Sequence, residues 1–599
     1  MSGVDDVRRS RRGEIECGIR ATLDTGAIER GRDAVFTARG VTMDRVEFRQ
    51  ATMALARELR RLVPLGGRIF LHGLASPTLA AAYLAGLTEG YVLVPVDPFF
   101  PRAWRQTMLE ETKPSVILTD CVGSVEWAPV GIEVLRLDDL TVSPPVTWPE
   151  LRASDPDAAA IVLRTSGSTG APKTVLVSRS NLAATFATLS QLLKLEPHDR
   201  MLATASVSFS SSIRQILYPL WAGAAVVGAH RELLGDNAAL LEFMVDRKVT
   251  VADLIPSLLH ELMHACAENP ELTQTARCIP LRLFTAASEP LRAETYRLFR
   301  DTLPYCPFIN MYGLTETTGI VAAHHLNGPP ASDSSSTIPI GQPVGQNRFD
   351  VVRDQGGYDN LKVASAQVAK CLPPHEQAGI CVTGDVVRRE PEDGAWQVVG
   401  RHDEQVKING VRINLAALAS ELRSQSAILD AAVFVTPTAD RPALTVYFVA
   451  DREIAPSELR QFIISQFPEA AIPSKFFRIH AMPRLPNLKI DRQALLAIGK
   501  EPSNVAFLAG ASSIEGPITS VLRDIWKKRL GLSELPAEPH FYTLGGDSLI
   551  ALQILADVKR HFGQRLPPDI FHSDDSLSAM AFRLSRSLHN PDKDAHERI

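Results

Sequence analysis

The pattern of hydrophobic and polar positions divides the chain into two parts with different periodicity. From about residue 50 to 400, helical stretches such as 51–62 alternate with short apolar runs such as 68–71 and 91–96. Alternation of this kind predicts helices layered against sheets, which is the α/β class. No internal repeat of about 20 to 50 residues is present, which argues against a solenoid.

The second part follows a stretch rich in Gly, Ser and Pro at 499–517, which predicts a linker. Beyond it, two apolar faces recur at helical spacing, so a small all-α bundle of four helices is expected. The faces consist of Ile518, Val521, Leu522, Ile525 and Trp526, and of Leu549, Leu552, Leu555 and Val558.

Composition narrows the range of functions. The chain has 599 residues, 45% hydrophobic and 22% charged, as in ordinary soluble proteins. A formal net charge of -5 argues against a nucleic-acid partner. Because no apolar run is long enough for a bilayer and no secretion signal opens the chain, we expect a cytoplasmic protein without a membrane partner. The seven cysteines show no metal-binding spacing.

A loop of small hydroxyl residues and glycine, 165–173, lies between the apolar runs 158–163 and 175–177. Small residues let backbone N–H groups and hydroxyls surround phosphate oxygens, and a lysine adds positive charge. The loop is not a Walker A motif, because no Gly-Lys-Ser/Thr ends it. Taken alone, its composition is also typical of a linker.

Four further segments follow in order, and each alone is compatible with a turn and a solvated charge. They are Asn-Met-Tyr-Gly-Leu-Thr-Glu at 310–316, Thr-Gly-Asp at 383–385, Gly-Arg-His-Asp at 400–403, and Leu-Pro-Asn-Leu-Lys-Ile-Asp-Arg at 485–492. Together with the loop, they resemble the adenylation domains of nonribosomal peptide synthetases, within the acyl-CoA synthetase and luciferase superfamily. The resemblance implies a disordered tail at 1–14, a large α/β core at 15–400 and a small α+β subdomain at 401–497.

The resemblance also assigns roles to individual residues. Thr315 would contact the α-phosphate of ATP, Glu316 would bind Mg²⁺, Lys489 would bridge the α-phosphate and the substrate carboxylate, and Asp403 would be the hinge between half-reactions. The phosphate-binding residues would be Thr165, Ser166, Gly167, Ser168, Thr169, Gly170 and Lys173. The adenosine-binding residues would be Asn310, Met311, Tyr312, Gly313, Asp385 and Arg401.

One departure from the family bears on the substrate. Members that activate α-amino acids carry Phe-Asp where this chain has Phe209 and Ser210, and that Asp holds the substrate ammonium. A charge-assisted hydrogen bond contributes roughly 1.5–3 kcal/mol, so an ordinary α-amino acid held in the ordinary way is disfavoured. The implied pocket consists of Phe209, Ser210, Ser211, Arg214, Asp253, Phe284, Ala286, Met311, Gly319 and Ile320.

Two charged pocket residues leave alternatives open. Asp253 could hold an amine from a different wall, which suits a β-amino, displaced-amino or basic acid, and Arg214 could pair with a substrate carboxylate. Equally, the two residues could neutralise each other or turn away from the pocket. A second departure is that the family's Gly-Glu-Leu segment is reduced to a shortened version at 356–372.

The last unit carries the sequence Gly-Gly-Asp-Ser-Leu at 545–549. A serine at the start of a helix is usually only an N-cap. In this position, after an adenylation-like region and a linker at 498–514, it resembles the carrier (thiolation) domain of the same synthetases, over 515–590, with a polar tail at 591–599. Ser548 would then bear 4'-phosphopantetheine, added by a separate phosphopantetheinyl transferase.

The expected function is ATP- and Mg²⁺-dependent adenylation of a small carboxylic acid, with transfer as a thioester to the chain's own carrier, in antibiotic or other secondary metabolism. A non-standard, β- or otherwise atypical amino acid is expected, and the product would pass to a condensation or tailoring enzyme. Alternatives are an aryl, hydroxy or ordinary α-amino acid, a ligase for free coenzyme A, and an inactive scaffold that presents the carrier. The need for an accessory protein of the MbtH type is left open.

Overall fold

The computed structural model divides the chain near residue 403 into two compact units, except that the short segment 231–236 belongs to the second unit, and each unit is described by itself below. The described residues are 34–38, 40–100, 102–120, 127–129, 131–139, 155–165, 173–328, 337–353, 359–372, 379–391, 393–401, 405–408, 411–425, 427–437, 442–452, 454, 456–467, 471–483, 490, 495, 517–530, 532, 534–535, 539–541, 544, 548–563, 566, 570 and 576–589.

The largest sheet of the first unit has nine strands. Its central strands are parallel, and antiparallel strands close both edges. The strands in spatial order are β15 (Gln342–Pro343), β14 (Gly319–Leu326), β13 (Phe308–Leu314), β12 (Leu283–Ala286), β11 (Val251–Leu254), β9 (Arg200–Ala203), β10 (Ala225–Gly228), β1 (Ala34–Ala38) and β2 (Val41–Asp44).

A second, seven-stranded sheet is parallel at its centre and antiparallel at one edge. Its strands in spatial order are β18 (Lys370–Leu372), β8 (Lys173–Ser178), β7 (Ala159–Thr165), β4 (Val92–Val96), β3 (Arg68–His72), β5 (Val116–Thr119) and β6 (Glu133–Arg136). Its central strands are apolar and fully buried, as expected for a sheet with helices on both faces.

Helices connect these strands. Helix α1 shows how they begin: the Asp44 side chain accepts from the backbone N–H of Glu47, and the Glu47 side chain accepts from that of Asp44, which is a capping box. The helices are α1 (Arg45–Leu62), α2 (Pro77–Thr88), α3 (Arg102–Thr112), α4 (Arg179–Leu193), α5 (Tyr218–Trp221), α6 (Arg231–Leu234), α7 (Asn237–Asp246), α8 (Pro256–Glu268), α9 (Pro270–Arg277) and α10 (Ala293–Thr302), with a 3₁₀ turn at Leu137–Asp139 and a π-helix at Ile213–Leu217.

A four-stranded antiparallel sheet completes the first unit. Its strands are β16 (Arg348–Arg353), β17 (Asp359–Ala364), β19 (Ile380–Arg389) and β20 (Trp396–Arg401). Leu361, Val363 and Trp396 from this sheet share one apolar cluster with Tyr312 and Val321 of the nine-stranded sheet. The predicted large α/β core is confirmed.

The second unit contains a small α+β region, as predicted. Its core joins one face of a three-stranded sheet to two helices, with Leu418, Leu422, Val446 and Ile463 fully buried. The elements are β21 (Gln405–Ile408), β22 (Val411–Asn414), α11 (Leu415–Arg423), β23 (Ile428–Pro437), β24 (Pro442–Ala450), α12 (Pro456–Gln466) and β25 (Lys475–Arg478).

Among the described residues, the apolar core of the carrier region is formed by side chains of three helices together with Phe541 and Ile570. Trp526 and Leu522 are fully buried in it, as the first apolar face predicts. In the second helix Leu555 and Val558 pack there, but Ala551 and Ile554 complete the face, while Leu552 is buried outside this cluster. The helices are α13 (Pro517–Leu530), α14 (Ser548–Phe562) and α15 (Leu577–His589).

A search of the described helices finds none that is both long and apolar enough to cross a membrane.

Asp199 ties together the starts of three central strands. Its buried carboxylate accepts from Arg282 Nε at 2.7 Å and Nη2 at 2.5 Å, and from the Thr250 hydroxyl at 2.7 Å. Burial raises the pKa of this carboxyl, but hydrogen bonds from Arg282, Glu196 and Thr250 outweigh it, so the pKa lies below its ordinary value of 3.8. Asp199 precedes β9, Thr250 precedes β11 and Arg282 precedes β12.

We expect Asp199→Asn to lower the free energy of unfolding of the first unit at pH 7 by about 3 kcal/mol, because Arg282 loses its charged partner. Since the folded pKa of Asp199 is lowered, its contribution is present above about pH 4 and is lost as the pH falls below that value. Urea unfolding at pH 7 and at about pH 3 should therefore show that the difference in free energy of unfolding between wild type and variant is smaller at the lower pH. A difference of constant size would contradict this prediction.

Candidate active site

The carboxylate of Asp385 lies between two other predicted adenosine residues. Tyr312 Oη donates to its Oδ2, and Arg401 Nη1 donates to its Oδ1 at 2.5 Å. Arg401 Nη2 also donates to the carbonyl of Thr383 at 3.1 Å, and the Thr383 hydroxyl accepts from the backbone N–H of Asp385 at 3.1 Å. Because the three side chains come from β13, β19 and β20, this carboxylate connects two sheets.

The charge state of this group follows from its burial. Tyr312 and Asp385 are both buried. Burial and the nearby Asp385 charge raise the pKa of Tyr312 well above its ordinary value of 10, so the phenol remains a hydrogen-bond donor at neutral pH. A carboxylate offers roughly four lone-pair positions. Tyr312 and Arg401 are its side-chain donors within the described part of the chain, so Asp385 can accept from two further hydroxyls.

The predicted catalytic residues Thr315 and Glu316 lie in a tight turn between β13 and β14. The backbone N–H of Thr318 donates to the carbonyl of Thr315 at 2.9 Å, and Thr318 has a φ of 54°, which is rare for a β-branched residue. The chain approaches itself closely here, since a Cβ on Gly313 would lie 2.0 Å from the carbonyl oxygen of Gly319. The sequence Gly-Leu-Thr-Glu therefore determines the shape of this turn and also supplies the predicted catalytic residues Thr315 and Glu316.

The two ends of the predicted phosphate loop face each other. Thr165 at the end of β7 pairs with Lys173 at the start of β8. The Thr165 hydroxyl is buried and has no hydrogen-bond partner among the described residues. A buried hydroxyl left in this state is suited to bind an incoming oxygen. The other predicted phosphate ligands, Ser166, Gly167, Ser168, Thr169 and Gly170, lie outside the described residues.

Ser210, the residue that departs from the family pattern, lies beside the catalytic turn. Its Oγ is 3.1 Å from Oγ1 of Thr315. The ring of the preceding Phe209 lies 5.9 Å from the ring of Phe100, and Ser211 is partly buried next to them. The structure thus brings the predicted pocket entrance and the predicted α-phosphate contact together.

Asp253 is enclosed by donors from its neighbours. Arg214 Nε donates to Oδ2 at 2.7 Å, and Arg214 Nη2 forms an ion pair with the same oxygen at 2.7 Å. Gln215 Nε2 donates to the same oxygen at 2.8 Å, and the Thr285 hydroxyl donates to Oδ1 at 3.0 Å. The Asp253 side chain is fully buried and that of Arg214 is 7% exposed. This geometry matches the alternative in which Arg214 and Asp253 neutralise each other.

Comparison with known proteins places this site in a family. The family model described as "AMP-binding enzyme" matches residues 24–387, and the model described as "Phosphopantetheine attachment site" matches residues 520–584.

The chain belongs to the AMP-binding enzyme family. It is an adenylate-forming ligase joined to a phosphopantetheine carrier domain, and its cofactors are ATP, Mg²⁺ and 4'-phosphopantetheine.

Two relatives from bacteria are similar in sequence to this chain over most of its length. A dimodular nonribosomal peptide synthase of Bacillus subtilis is 28% identical over 85% of this chain, which covers 22% of that protein. Phosphinothricin tripeptide synthetase PhsC of Streptomyces viridochromogenes is 30% identical over 97% of this chain, which covers 54% of that protein. The chain therefore spans about half or less of the length of these relatives.

The fold agrees with a solved relative. The structure of holo-PA1221, described as a nonribosomal peptide synthetase protein containing adenylation and PCP domains, has a TM-score of 0.74 to this chain at 22% identity. The alignment covers 95% of this chain and 96% of that one. This likeness shows that the two chains share a fold over nearly their whole length.

The donor set of this AMP-binding enzyme fits the nucleotide and metal that the family uses. Asp385 offers acceptors for hydroxyls, Thr165 a buried hydroxyl, and Glu316 a buried carboxylate in the turn beside Thr315. Oxygen ligands are those that Mg²⁺ prefers, and it usually shares them with substrate phosphates. Among the described residues no group of three or more His, Cys, Asp or Glu forms a metal cluster, so the fit rests on Glu316 with phosphate oxygens.

The other predicted adenosine and pocket residues have different surroundings in the structure. Phe284 packs against Phe299 and Phe308, with ring centroids 5.0 and 5.6 Å away, so it lies on the opposite face of β12 from Thr285 and is not brought to Asp253. Asn310 is buried and donates to the carbonyl of Pro339. The remaining predicted pocket residues, Ala286, Met311, Gly319 and Ile320, lie on β12, β13 and β14.

Two predicted functional residues, Lys489 and Asp403, lie outside the described residues. For the carrier, Ser548 is the first residue of α14, which agrees with its predicted place at the start of a helix. Sequence reasoning missed Gln215 and Thr285, which hold Asp253, and Gln367, which contacts the Thr315–Gly319 turn. The adjacency of Gln215 to Arg214 is the one signal that could have indicated the first of these.

We expect Asp385→Asn to weaken MgATP binding about tenfold to a hundredfold, because the hydrogen bonds that the ribose hydroxyls would donate to a charged carboxylate become hydrogen bonds to a neutral amide. Calorimetric titration with MgATP measures this directly. Asp350→Asn is the matched control, since Asp350 is an exposed carboxylate of the same sheet. Equal MgATP affinity of Asp385→Asn and the control would contradict a nucleotide role for Asp385.

Proposed function

We propose that this chain activates a small carboxylic acid by adenylation and then transfers it, as a thioester, to phosphopantetheine on Ser548 of its own carrier domain. The observation that carries the proposal is the Tyr312–Asp385–Arg401 group beside the Thr315 turn, in a chain that also bears a phosphopantetheine attachment domain. A phosphopantetheinyl transferase and a downstream condensation or tailoring enzyme are the proposed partners. A cytoplasmic location stays a prediction, and the need for an MbtH-type accessory protein is left open.

The first half-reaction brings an anion to an anion. A carboxylate oxygen of the acid bonds to the α-phosphorus of ATP, the bond from that phosphorus to the bridging oxygen breaks, and pyrophosphate leaves. Catalysis then depends on positioning and on cations placed where negative charge accumulates. Glu316 would hold Mg²⁺ at the phosphates, Lys173 and Lys489 would supply further positive charge, and Asp385 would fix the ribose through its hydroxyls.

The second half-reaction joins the acyl group to the carrier. The thiol of the prosthetic arm supplies the nucleophile, the acyl carbon forms the new bond to sulfur, and AMP leaves with the bonding electrons. The phosphopantetheine attachment domain matched at residues 520–584 and the place of Ser548 as the first residue of α14 support this assignment. Asp403 is proposed as the hinge that allows one core to serve both steps.

The substrate is proposed to be an acid that does not place an α-ammonium against residue 210. Ser210 carries no charge, and its hydroxyl lies 3.1 Å from Thr315. The Asp253 carboxylate already accepts three hydrogen bonds, from Arg214, Gln215 and Thr285, and forms an ion pair with Arg214. Neither position therefore offers an unshared carboxylate, which supports an atypical amino acid whose amine lies elsewhere, or an aryl or hydroxy acid.

We expect intact-protein mass spectrometry of the pantetheinylated chain to show one acyl increment after addition of MgATP and the correct acid. The increment should vanish in Ser548→Ala, which has no attachment point, and fall by at least about a hundredfold in rate in Lys489→Ala. Ser585→Ala and Lys475→Ala are matched controls in the same two regions. Acylation of free coenzyme A that is indifferent to Ser548→Ala would replace the proposal with a coenzyme A ligase.

The same assay tests the substrate class with two pools. One pool holds the ordinary α-amino acids, and the other holds aryl, hydroxy and β-amino acids. We expect loading from the second pool only, because the pocket lacks the carboxylate at residue 210 that would stabilise an α-ammonium by roughly 1.5–3 kcal/mol. Loading from the first pool at a comparable rate would show that another group holds the ammonium.

A further inference from the structure

Gln367 is a buried polar residue, 2% exposed, in the short segment between β17 and β18. This segment belongs to the stretch 356–372, which we interpret as a shortened version of the family's Gly-Glu-Leu segment. Both the Oε1 and the Nε2 atoms of the Gln367 amide form hydrogen bonds, and backbone groups of the neighbouring residues form others. Together these contacts reach two elements of the nucleotide site that are distant in sequence.

One set of contacts reaches α4, the helix that follows β8 and the phosphate loop. Gln367 Oε1 lies 2.8 Å from the Thr188 hydroxyl, and its Nε2 lies 3.3 Å from the Thr185 hydroxyl. Asn181 Nδ2 donates to the carbonyls of residues 366 and 368 at 2.8 and 3.1 Å. Asn181, Thr185 and Thr188 have the i, i+4, i+7 spacing of one helical face, so α4 presents a polar stripe to this segment.

The other set of contacts reaches the turn that carries Thr315 and Glu316. Gln367 Nε2 donates to the carbonyl of Ile320 at 3.0 Å, and the Thr318 hydroxyl donates to the Gln367 carbonyl at 2.6 Å. The backbone N–H of residue 369 donates to the carbonyl of Glu316 at 2.8 Å. A β-branched residue persists at a φ of 54°, as Thr318 does, only when its surroundings hold it there.

We propose that Gln367 is a positioning residue for nucleotide activation, which fixes the distance between the helix after the phosphate loop and the turn bearing Thr315 and Glu316. The inference rests on the nucleotide roles given above under the proposed function. It differs from a purely structural role for a satisfied core glutamine. A structural role changes stability and the active fraction, whereas a positioning role changes the response to MgATP selectively.

The test compares two variants of Gln367 in the full chain. Gln367→Leu loses both ends of the amide, and Gln367→Glu keeps the acceptor for Thr188 but cannot donate to Ile320. Gln397→Leu is the matched control, because Gln397 is a buried glutamine whose amide bonds Thr337 and Arg388, away from the turn. Pyrophosphate exchange, MgATP calorimetry and the melting temperature are measured for each.

We expect kcat/KM for MgATP to fall about tenfold to a hundredfold in both Gln367 variants, since a small displacement of reacting groups has effects of this size. The KM for the acid should stay within about twofold of wild type. Gln397→Leu should lower the melting temperature by about as much as the Gln367 variants do, but it should not change the KM for MgATP. Equal kinetics in Gln367→Glu and Gln397→Leu would overturn the proposal.

Calorimetry separates failure of this inference from failure of the proposed function, because MgATP binding requires no acid. If wild type binds MgATP but no acid in the panel is activated, weaker MgATP binding by Gln367→Glu than by Gln397→Leu still supports the positioning role, and equal binding overturns it. If wild type does not bind MgATP, the proposed function and this inference are both wrong.

Discussion

The site depends on one buried carboxylate. Asp385 lies where β13 of the nine-stranded sheet meets the four-stranded sheet, and its two oxygens accept from Tyr312 and Arg401. An unpaired buried carboxylate is costly, so the two donors must be in place for the sheets to pack as they do. The apolar contacts among Tyr312, Leu361 and Trp396 bring the sheets together. The hydrogen bonds to the Asp385 carboxylate then fix the position of one sheet relative to the other. The packing of the two sheets therefore uses the same residues that are proposed to bind the nucleotide.

The parts of this arrangement that the sequence could predict are local. Alternating helical and apolar stretches predict the α/β core because both periodicities are short. The motif residues Tyr312, Thr315 and Asp385 are likewise visible because each lies within two positions of a glycine, although Tyr312 and Asp385 lie inside strands β13 and β19 and only Thr315 lies in a turn. Gly313 is an example, since the close approach to Gly319 leaves no room for a side chain.

The parts that could not be predicted are contacts between distant segments. Gln367 reaches Thr188 across 179 positions and Ile320 across 47, and a polar residue in a loop gives no sign of such partners. The orientation of Phe284 is similar, because the alternation of β12 fixes two faces but does not say which face packs against α10. In the carrier, the apolar spacing of α14 allowed two overlapping faces, and the packing of Ile554 chose between them.

The surroundings of Asp253 explain how a charged pair can line a pocket without setting its charge. The π-helix at Ile213–Leu217 turns two consecutive side chains, Arg214 and Gln215, toward one carboxylate, a geometry common at functional sites. Removing either charge would leave the other buried and unpaired, so the two are retained together or lost together. A paired guanidinium and carboxylate have no net charge. This pair therefore adds no net charge that would attract an ammonium group, which agrees with the proposed substrate class.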